Sequence, residues 1–367
     1  MGNIRESYVS AVRTQANHRS FGAEKTKKVF KNPINQFWIL GIILLVLGIL
    51  ALSGIGVIPG KYRTVIATIM MYTIVSSGFC LLLGYAGLAS LGSSCFVGIG
   101  AYCTFFCLQK WHIPYIVAIL MALAISFIIG LSIGFISLRV QGLFLGIITL
   151  GLSEIIRVVL KNIYSTDVYI KSSNSKLFGQ KVGPQYMFFV VLAIMLLCLV
   201  LFYNLMRSPT GRAMLAMKNS VSAAKAFGVN LLRYRVLAFI LACLTASLTG
   251  VCYLSMGLSI QPTNAADAAL SLSLSLNVLA AVIIGGYKSL WGTFGGVVFV
   301  FGLQSLLAAL FPTAANAMAS YMSLVIGLLM VVIVMFYPGG FYQMFWVIKF
   351  KIKALKEKRR IRTYGIQ

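Results

Sequence analysis

Long apolar segments alternate with short polar segments along most of this chain. A membrane-spanning helix needs about 20 predominantly apolar residues, and ten windows meet that requirement. The third and eighth windows are the least apolar, because one is rich in Gly and Ser and the other alternates Ser with Leu; both patterns are typical of helices that contact other helices. We therefore predict an all-α polytopic membrane protein with about ten transmembrane helices. The windows are 37–57, 64–83, 86–108, 114–137, 141–163, 185–206, 235–259, 268–286, 292–311 and 317–337.

Composition agrees with this prediction. The mean hydropathy is +0.94 and only 10% of the residues are charged, whereas soluble globular domains carry about 25% charged residues. All seven cysteines fall in the apolar windows, where small buried side chains are the simplest interpretation. Neither the cysteines nor the two histidines have neighbours that would complete a metal site or a catalytic group.

Basic residues cluster in three places. Seven precede the first window, six lie within 207–235, and eight follow residue 348. With ten spans and a cytoplasmic N-terminus, the cytoplasmic side holds 23 Lys and Arg residues against seven outside. This asymmetry satisfies the positive-inside rule and predicts that both termini are cytoplasmic. The net charge of +25 is then explained by contact with anionic lipid headgroups, without any nucleic acid.

Glycine spacing predicts close helix packing. Three pairs of glycines stand four residues apart inside apolar windows, a spacing that lets helix backbones approach one another. The pairs are Gly130 with Gly134, Gly142 with Gly146, and Gly292 with Gly296.

Two sequences resemble nucleotide-binding motifs without completing them. GVIPGKY at 56–62 has Ile55 in place of the first glycine of a phosphate-binding loop and Tyr62 in place of the magnesium ligand. GIGAYC at 98–103 has Cys103 in place of the third dinucleotide-binding glycine. We therefore expect no nucleotide or other cofactor on this chain, so that any energy from ATP has to enter through a partner.

Few polar side chains lie deep within the windows, and each is a candidate for the lining of a transport pathway. They are Ser90, Ser93, Glu154, Asn277 and Gln304. Glu154 and Arg157 are three residues apart and can pair along one helix face, so a self-satisfied pair that anchors a helix end is the favoured interpretation. Interhelical hydrogen bonding is the default interpretation of Asn277 and Gln304.

The polar interruption at 207–230 reads RSPTGRAMLAMKNSVSAAKAFGVN. Pro209 can only begin a helix, and Gly211 indicates a turn before that helix. Ser220 or Ser222 can cap a second short helix, which Gly228 with Asn230 can end. Two such helices could insert into a groove on another protein or lie on the lipid surface, and the residues alone do not decide between these possibilities.

Three functional classes fit a helical bundle of this kind. A secondary, ion-coupled transporter usually needs a coupling carboxylate near mid-membrane, and Glu154 is the deepest candidate. An intramembrane enzyme needs converging catalytic side chains, which the sequence does not offer. The membrane half of an ATP-driven transporter needs a cytoplasmic docking segment, a role that 207–230 could fill.

Four blocks, in order, resemble the LivM-type permeases of bacterial ABC importers. Within the third block, SAAKAFG carries the Ala-Ala-x-x-x-Gly core of their coupling loop. The blocks are GYAGLASLGSSCFVGIGAY (84–102), LRVQGLFLGIITLGLSEIIR (138–157), SPTGRAMLAMKNSVSAAKAFGVNLLRYRVLAF (208–239) and VIIGGYKSLWGTFGGV (282–297).

This resemblance implies a type II ABC importer-like bundle in the bacterial cytoplasmic membrane. It implies a basic N-terminal tail over 1–36, a permease domain over 37–345 with its coupling loop at 207–234, and a basic C-terminal tail over 346–367. The implied partners are a second homologous permease, two cytoplasmic ATPase subunits that hold the ATP, and an external substrate-binding protein. The implied coupling residues are Gly211, Arg212, Ala223, Ala224 and Gly228.

The implied cargo is a branched-chain amino acid or a related small amino acid or amide. An ion-coupled amino-acid transporter, or a permease for urea, a sugar or a nucleoside, is the alternative. Two departures from the family pattern stand out. Leu88 and Ser93 occupy positions where the family often has Gln and His, and the coupling loop has no acidic residue. We therefore expect an acidic or neutral groove on the ATPase partner.

Overall fold

The computed structural model describes residues 60–137, 143–163, 168, 176–177, 180–181, 184–260 and 271–310, together with single residues between 321 and 340. The chain divides into two units, Met1–Ile49 and Leu50–Gln367, and every described residue belongs to the second. The predicted window 37–57 and the two basic tails lie outside the described residues, and only scattered residues of the window 317–337 are described, each of them helical.

The remaining eight windows all contain helix. The helices are α1 (Gly60–Leu81), α2 (Ser93–Phe105), α3 (Tyr115–Ser137), α4 (Leu143–Ile163), α5 (Pro184–Arg207), α6 (Pro209–Asn219), α7 (Val221–Ala226), α8 (Leu231–Ser255), α9 (Leu272–Gly285), α10 (Leu290–Val297) and α11 (Leu303–Leu310). Single π-helical turns at Leu82–Ala86, Phe106–Lys110 and Val298–Gly302 extend α1 and α2 and join α10 to α11. Two short antiparallel strands, β1 (Lys176–Leu177) and β2 (Gln180–Lys181), form a hairpin between α4 and α5.

Four segments in the described part of the chain are helices long and apolar enough to cross a membrane. They are Arg63–Ala86, Tyr115–Phe135, Met187–Arg207 and Leu231–Ser255. Helix α4 is of similar length but carries Glu154, Arg157 and Lys161. Helix α3 exposes a broad apolar face that includes Leu120, Phe127 and Ile128, as a helix against lipid does.

Helix α8 is central, because it packs against α1, α2 and α3. Its crossing with α2 is made by backbone rather than by large side chains. A Cβ atom at Gly100 would lie 2.8 Å from the carbonyl carbon of Ser247, and one at Gly250 would lie 2.8 Å from the amide nitrogen of Ala101. Such small-residue contacts let membrane helices approach closely. Gly100 and Gly250 lie on different helices, so the spacing of glycines within one helix did not predict this contact.

The glycine pair of α10 behaves as its spacing predicted. A Cβ at Gly296 would lie 2.9 Å from the Cα of Gly285, and Gly292 packs against the same residue of α9. At Gly130 the neighbour is the Cβ of Cys243, at 3.3 Å. Gly142 lies outside the described residues.

The third window differs from its prediction as a single helix over 86–108. After the π turn Leu82–Ala86 the backbone leaves the helix, and α2 begins only at Ser93. We call the non-helical segment 87–92 the helix break. Hydropathy does not detect it, because its residues are small or apolar. Irregular backbone of this kind is tolerated at membrane depth only where protein or a cavity surrounds it.

Candidate functional site

The segment 207–230 folds as two short, individually capped helices, α6 and α7, which we call the coupling segment. Pro209 is the first residue of α6, and the Ser208 hydroxyl oxygen accepts a hydrogen bond from the Gly211 N–H at 3.3 Å. Ser220 ends α6 and caps α7, since its hydroxyl oxygen accepts a hydrogen bond from the Ala223 N–H at 3.3 Å. The prediction that Ser220 or Ser222 caps the second helix is therefore confirmed for Ser220.

Gly228 ends α7 with a positive φ of 76°. The Gly228 N–H donates to the Lys225 carbonyl at 2.9 Å and the Val229 N–H donates to the Ala224 carbonyl at 3.0 Å. This pair of bonds is the Schellman arrangement, in which a left-handed glycine satisfies the last carbonyls of a helix. Asn230, expected to help end α7, instead caps α8: its side-chain oxygen accepts from the Arg233 N–H at 3.4 Å.

Gly211 lies inside the first turn of α6 rather than in a turn before it. A Cβ atom there would be 2.5 Å from the carbonyl oxygens of both Leu205 and Met206. Glycine therefore allows α6 to fold back tightly against the end of α5.

The five predicted coupling residues divide into two groups. Gly211 and Ala224 are buried and face the rest of the chain, whereas Arg212, Ala223 and Gly228 are exposed. Beside Gly228, the Phe227 side chain is 87% exposed, more than any other large hydrophobic side chain in the described part of the chain.

Lys218 joins the coupling segment to the transmembrane helices. Its ammonium group donates to the Gly84 carbonyl at 2.8 Å and to the Leu83 carbonyl at 3.2 Å, and it lies 4.3 Å from the centroid of the Tyr287 ring. Burial, and then the nearby charge of Lys288, lower the pKa of Lys218. Sequence reasoning had counted Lys218 only as one of several basic residues, because nothing local distinguishes it from Lys225.

The helix break is held by buried hydroxyl groups. The Leu91 N–H donates to the Thr149 hydroxyl at 3.0 Å, and the Gly92 N–H donates to the Ser90 hydroxyl at 3.3 Å. At the start of α2, the Ser275 hydroxyl accepts from the Ser94 N–H at 3.0 Å and bonds the hydroxyls of Ser93 and Ser94 at 3.0 and 3.1 Å. We call Ser93, Ser94 and Ser275 the serine cluster.

The other predicted pathway residues are not gathered at this cluster. The Glu154 carboxylate pairs with the Arg157 guanidinium at 2.7 Å, and the two side chains are 40% and 30% exposed. This is the self-satisfied ion pair that the sequence favoured. Asn277 on α9 and Gln304 on α11 are both half-buried. Ser275 was not singled out from the sequence, although its place in the alternating SLSLSLN run of α9 was the available signal.

In the described part of the chain, no three His, Cys, Asp or Glu residues are grouped so that they could hold a metal ion. The cysteines at 80, 95, 103, 107, 198, 243 and 252 are free thiols and buried. The interior hydrogen bonds are mostly made by Ser and Thr hydroxyls to backbone carbonyls of the preceding helical turn, as in membrane helices.

Long apolar helices with glycine-mediated crossings, a buried helix break and a short-helix segment outside the spans define an all-α membrane-embedded permease. The chain belongs to the family described as "Branched-chain amino acid transport system / permease component", whose model matches residues 62–334. The family indicated by the four sequence blocks is thereby confirmed, and the chain is a transport permease subunit.

Curated relatives cover most of the chain. The high-affinity branched-chain amino acid transport system permease protein LivM of Salmonella typhimurium is 26% identical over 306 residues, which are 75% of this chain and 68% of the relative. LivM of Escherichia coli is 27% identical over 317 residues, 76% of this chain and 69% of the relative. The fructose import permease protein FrcC of Rhizobium meliloti is 28% identical over 230 residues, 58% of this chain and 61% of the relative. No solved structure gives a significant match.

Proposed function

We propose that this chain is the permease subunit of a bacterial ATP-driven importer that carries branched-chain amino acids into the cell. The observation that carries the proposal is the coupling segment: two capped helices that expose Phe227 and are tied to the spans through Lys218. A docking surface for a separate ATPase requires both properties. The family membership and the printed function of the two LivM relatives support the cargo.

The proposed topology has ten transmembrane helices and two cytoplasmic termini, in the bacterial inner membrane. In this topology successive helices cross the membrane in opposite directions. Contacts at the two ends of the helices support that arrangement. At one end, the backbones of Val168 and Ile260 pair by two hydrogen bonds of 2.8 Å. At the other end, Lys218 meets Gly84, and the backbone of Gly340 packs on Gly286. The coupling segment then lies in the cytoplasm.

The proposed complex contains a second homologous permease, two cytoplasmic ATPase subunits and an external substrate-binding protein. The exposed cations of the coupling segment, Arg212 and Lys225, favour an acidic or neutral groove on the ATPase, since charge complementarity governs which surfaces associate. ATP is held by the ATPase subunits, and no cofactor is assigned to this chain.

The proposed pathway runs beside the helix break. Discontinuous helices form the substrate sites of many transporters. The break carries the Ser90 hydroxyl, which accepts from the Gly92 N–H, and it leads directly into Ser93 of the serine cluster. Asn277 shares α9 with Ser275, and Gln304 lies on α11; both remain candidates for the lining.

Reconstitution tests the proposal. The full chain is co-expressed with the ATPases, second permease and binding protein expected from neighbouring reading frames, and the complex is placed in proteoliposomes. We expect uptake of leucine, isoleucine and valine that requires ATP and the binding protein. The same panel includes urea and fructose, because one relative is a fructose import permease. Uptake of fructose without uptake of the amino acids would replace the proposed cargo, and ATP-independent uptake would contradict the importer class.

Glu154 separates this proposal from an ion-coupled transporter. Glu154→Gln removes the charge that pairs with Arg157, but the glutamine side chain keeps the size of glutamate and an oxygen that can accept a hydrogen bond from the guanidinium. We expect the variant to retain at least about half of the ATP-driven uptake, measured in the same proteoliposomes. The matched control is Arg157→Gln, which removes the other half of the pair. Uptake that follows a proton or sodium gradient without any ATPase, and that Glu154→Gln abolishes, would favour the ion-coupled alternative.

A further inference from the structure

We propose that Lys218 is the positioning residue that transmits movement of the coupling segment to the helix break, so that transport depends on its ammonium group while assembly does not. The inference rests on the proposed function, because it assigns a task to one side chain within that coupling.

Lys218 completes the end of a transmembrane helix. The N–H groups of Gly87 and Leu88 both donate to the carbonyl of Leu82. The next two carbonyls, those of Leu83 and Gly84, bond the ammonium of Lys218 instead. A cation at this position also meets the negative end of the helix dipole. The coupling segment therefore supplies the cap of α1 and its π turn.

The joint between the coupling segment and the spans, formed by Lys218, Gly84, Gly87 and Tyr287, is closely packed. Gly87 has a φ of 70°, and a Cβ atom there would lie 3.0 Å from Cγ of Lys218. Gly84 leaves no room for a Cβ because the Tyr287 carbonyl occupies that space. The thiol of Cys80 donates to the same carbonyl at 3.4 Å. A displacement of α6 consequently presses directly on both the π turn and the turn after α9.

The position of this joint along the chain connects it to the serine cluster. The carbonyls that Lys218 bonds belong to the π turn that immediately precedes the helix break, and the serine cluster begins where the break ends. Tyr287 follows α9, which carries Ser275. The helix break and α9 therefore both connect the surroundings of Lys218 with the serine cluster. Among the other cations of the coupling segment, Arg212 and Lys225 are exposed and available to a partner.

Lys218→Met tests the assignment, because methionine keeps the length and apolar stem of the side chain and removes the ammonium. In the reconstituted complex we expect ATP-driven leucine uptake to fall at least tenfold. We expect the ATPase subunits to co-purify at wild-type stoichiometry. ATP hydrolysis should lose its stimulation by leucine-loaded binding protein, so that the number of leucine molecules moved per ATP also falls. A residue with a purely structural role would lower assembly and hydrolysis together and leave this ratio unchanged.

Two further variants and one control complete the experiment. Lys218→Arg should restore at least one third of the uptake, and Tyr287→Leu, which removes only the ring contact, should reduce uptake two- to fivefold. The control is Lys110→Met, because the Lys110 ammonium also lies over a ring, 4.8 Å from the centroid of Phe106. Lys110 is far from the coupling segment in sequence and follows the end of α2 that is opposite to the helix break. Uptake by this variant should be unchanged.

The outcomes separate this inference from the function on which it rests. Wild-type uptake and wild-type coupling by Lys218→Met would overturn the inference and leave the importer intact. Loss of the ATPase subunits from the Lys218→Met complex would also overturn it, because Lys218 would then act in assembly. An absence of ATP-driven uptake by the wild-type complex would instead contradict the proposed function.

Discussion

Replacing Phe227 by aspartate is expected to abolish ATP-driven uptake while the permease remains folded in the membrane. Phe227 follows the last residue of α7 and is 87% exposed, so the fold gains little from its burial. Exposed aromatic side chains next to a polar rim are typical of binding surfaces, and central aromatic residues supply hot spots worth about 2 kcal/mol or more. A loss of that size weakens ATPase binding about 30-fold or more.

The measurement for Phe227→Asp is co-purification of the ATPase with the permease, together with leucine uptake by proteoliposomes. Phe227→Leu is the matched control, because it keeps an apolar side chain, and it should stay within about threefold of the wild type. The result also separates docking from the alternative in which the segment lies on lipid. If the ATPase co-purified with the Phe227→Asp permease as it does with the wild type, the docking assignment would fail.

Replacing Gly228 by valine is expected to reduce uptake at least about tenfold through the backbone alone. Gly228 has a φ of 76° and open space where a Cβ would lie, so no steric contact with another residue contributes. A left-handed conformation costs an ordinary L-residue about 1–2 kcal/mol, and a β-branched residue is the least tolerant. The Schellman bonds would weaken, and Phe227 would lose its fixed direction.

Gly228→Asn is the control for this prediction, because asparagine tolerates the left-handed region. It should keep most of the uptake, whereas Gly228→Val should lose it, with both proteins present in the membrane in equal amounts. Limited proteolysis between α7 and α8 should be faster in Gly228→Val. Equal uptake by the two variants would mean that the end of α7 has no part in coupling.

The local features of the coupling segment could be predicted from sequence because they depend on neighbours along the chain. Pro209 at the helix start, Ser220 as the cap and Gly228 at the end each follow from the preferences of single residues. Asn230 was misassigned because it lies between two helices and the same side chain can serve either.

Other features could not be predicted because they depend on contacts distant in sequence. The direction of Ala224, buried within the chain, requires knowledge of what α7 packs against. The contacts of Lys218 with Gly84 and of Ser275 with Ser94 join residues more than 130 positions apart. The helix break escaped the hydropathy pattern because glycines such as Gly87 and Gly92 weaken a helix without making the segment polar.

The backbone crossing of α2 with α8 restricts how this protein can change shape. Because Gly100 and Gly250 bring the two backbones into contact where the helices cross, sliding one helix along the other would place a larger side chain in that contact. Phe96 and Phe239 add an edge-to-face ring contact between the same two helices. We therefore expect α2 and α8 to move together, with bending confined to the irregular segments beside them, and a methyl group added at either glycine would wedge them apart.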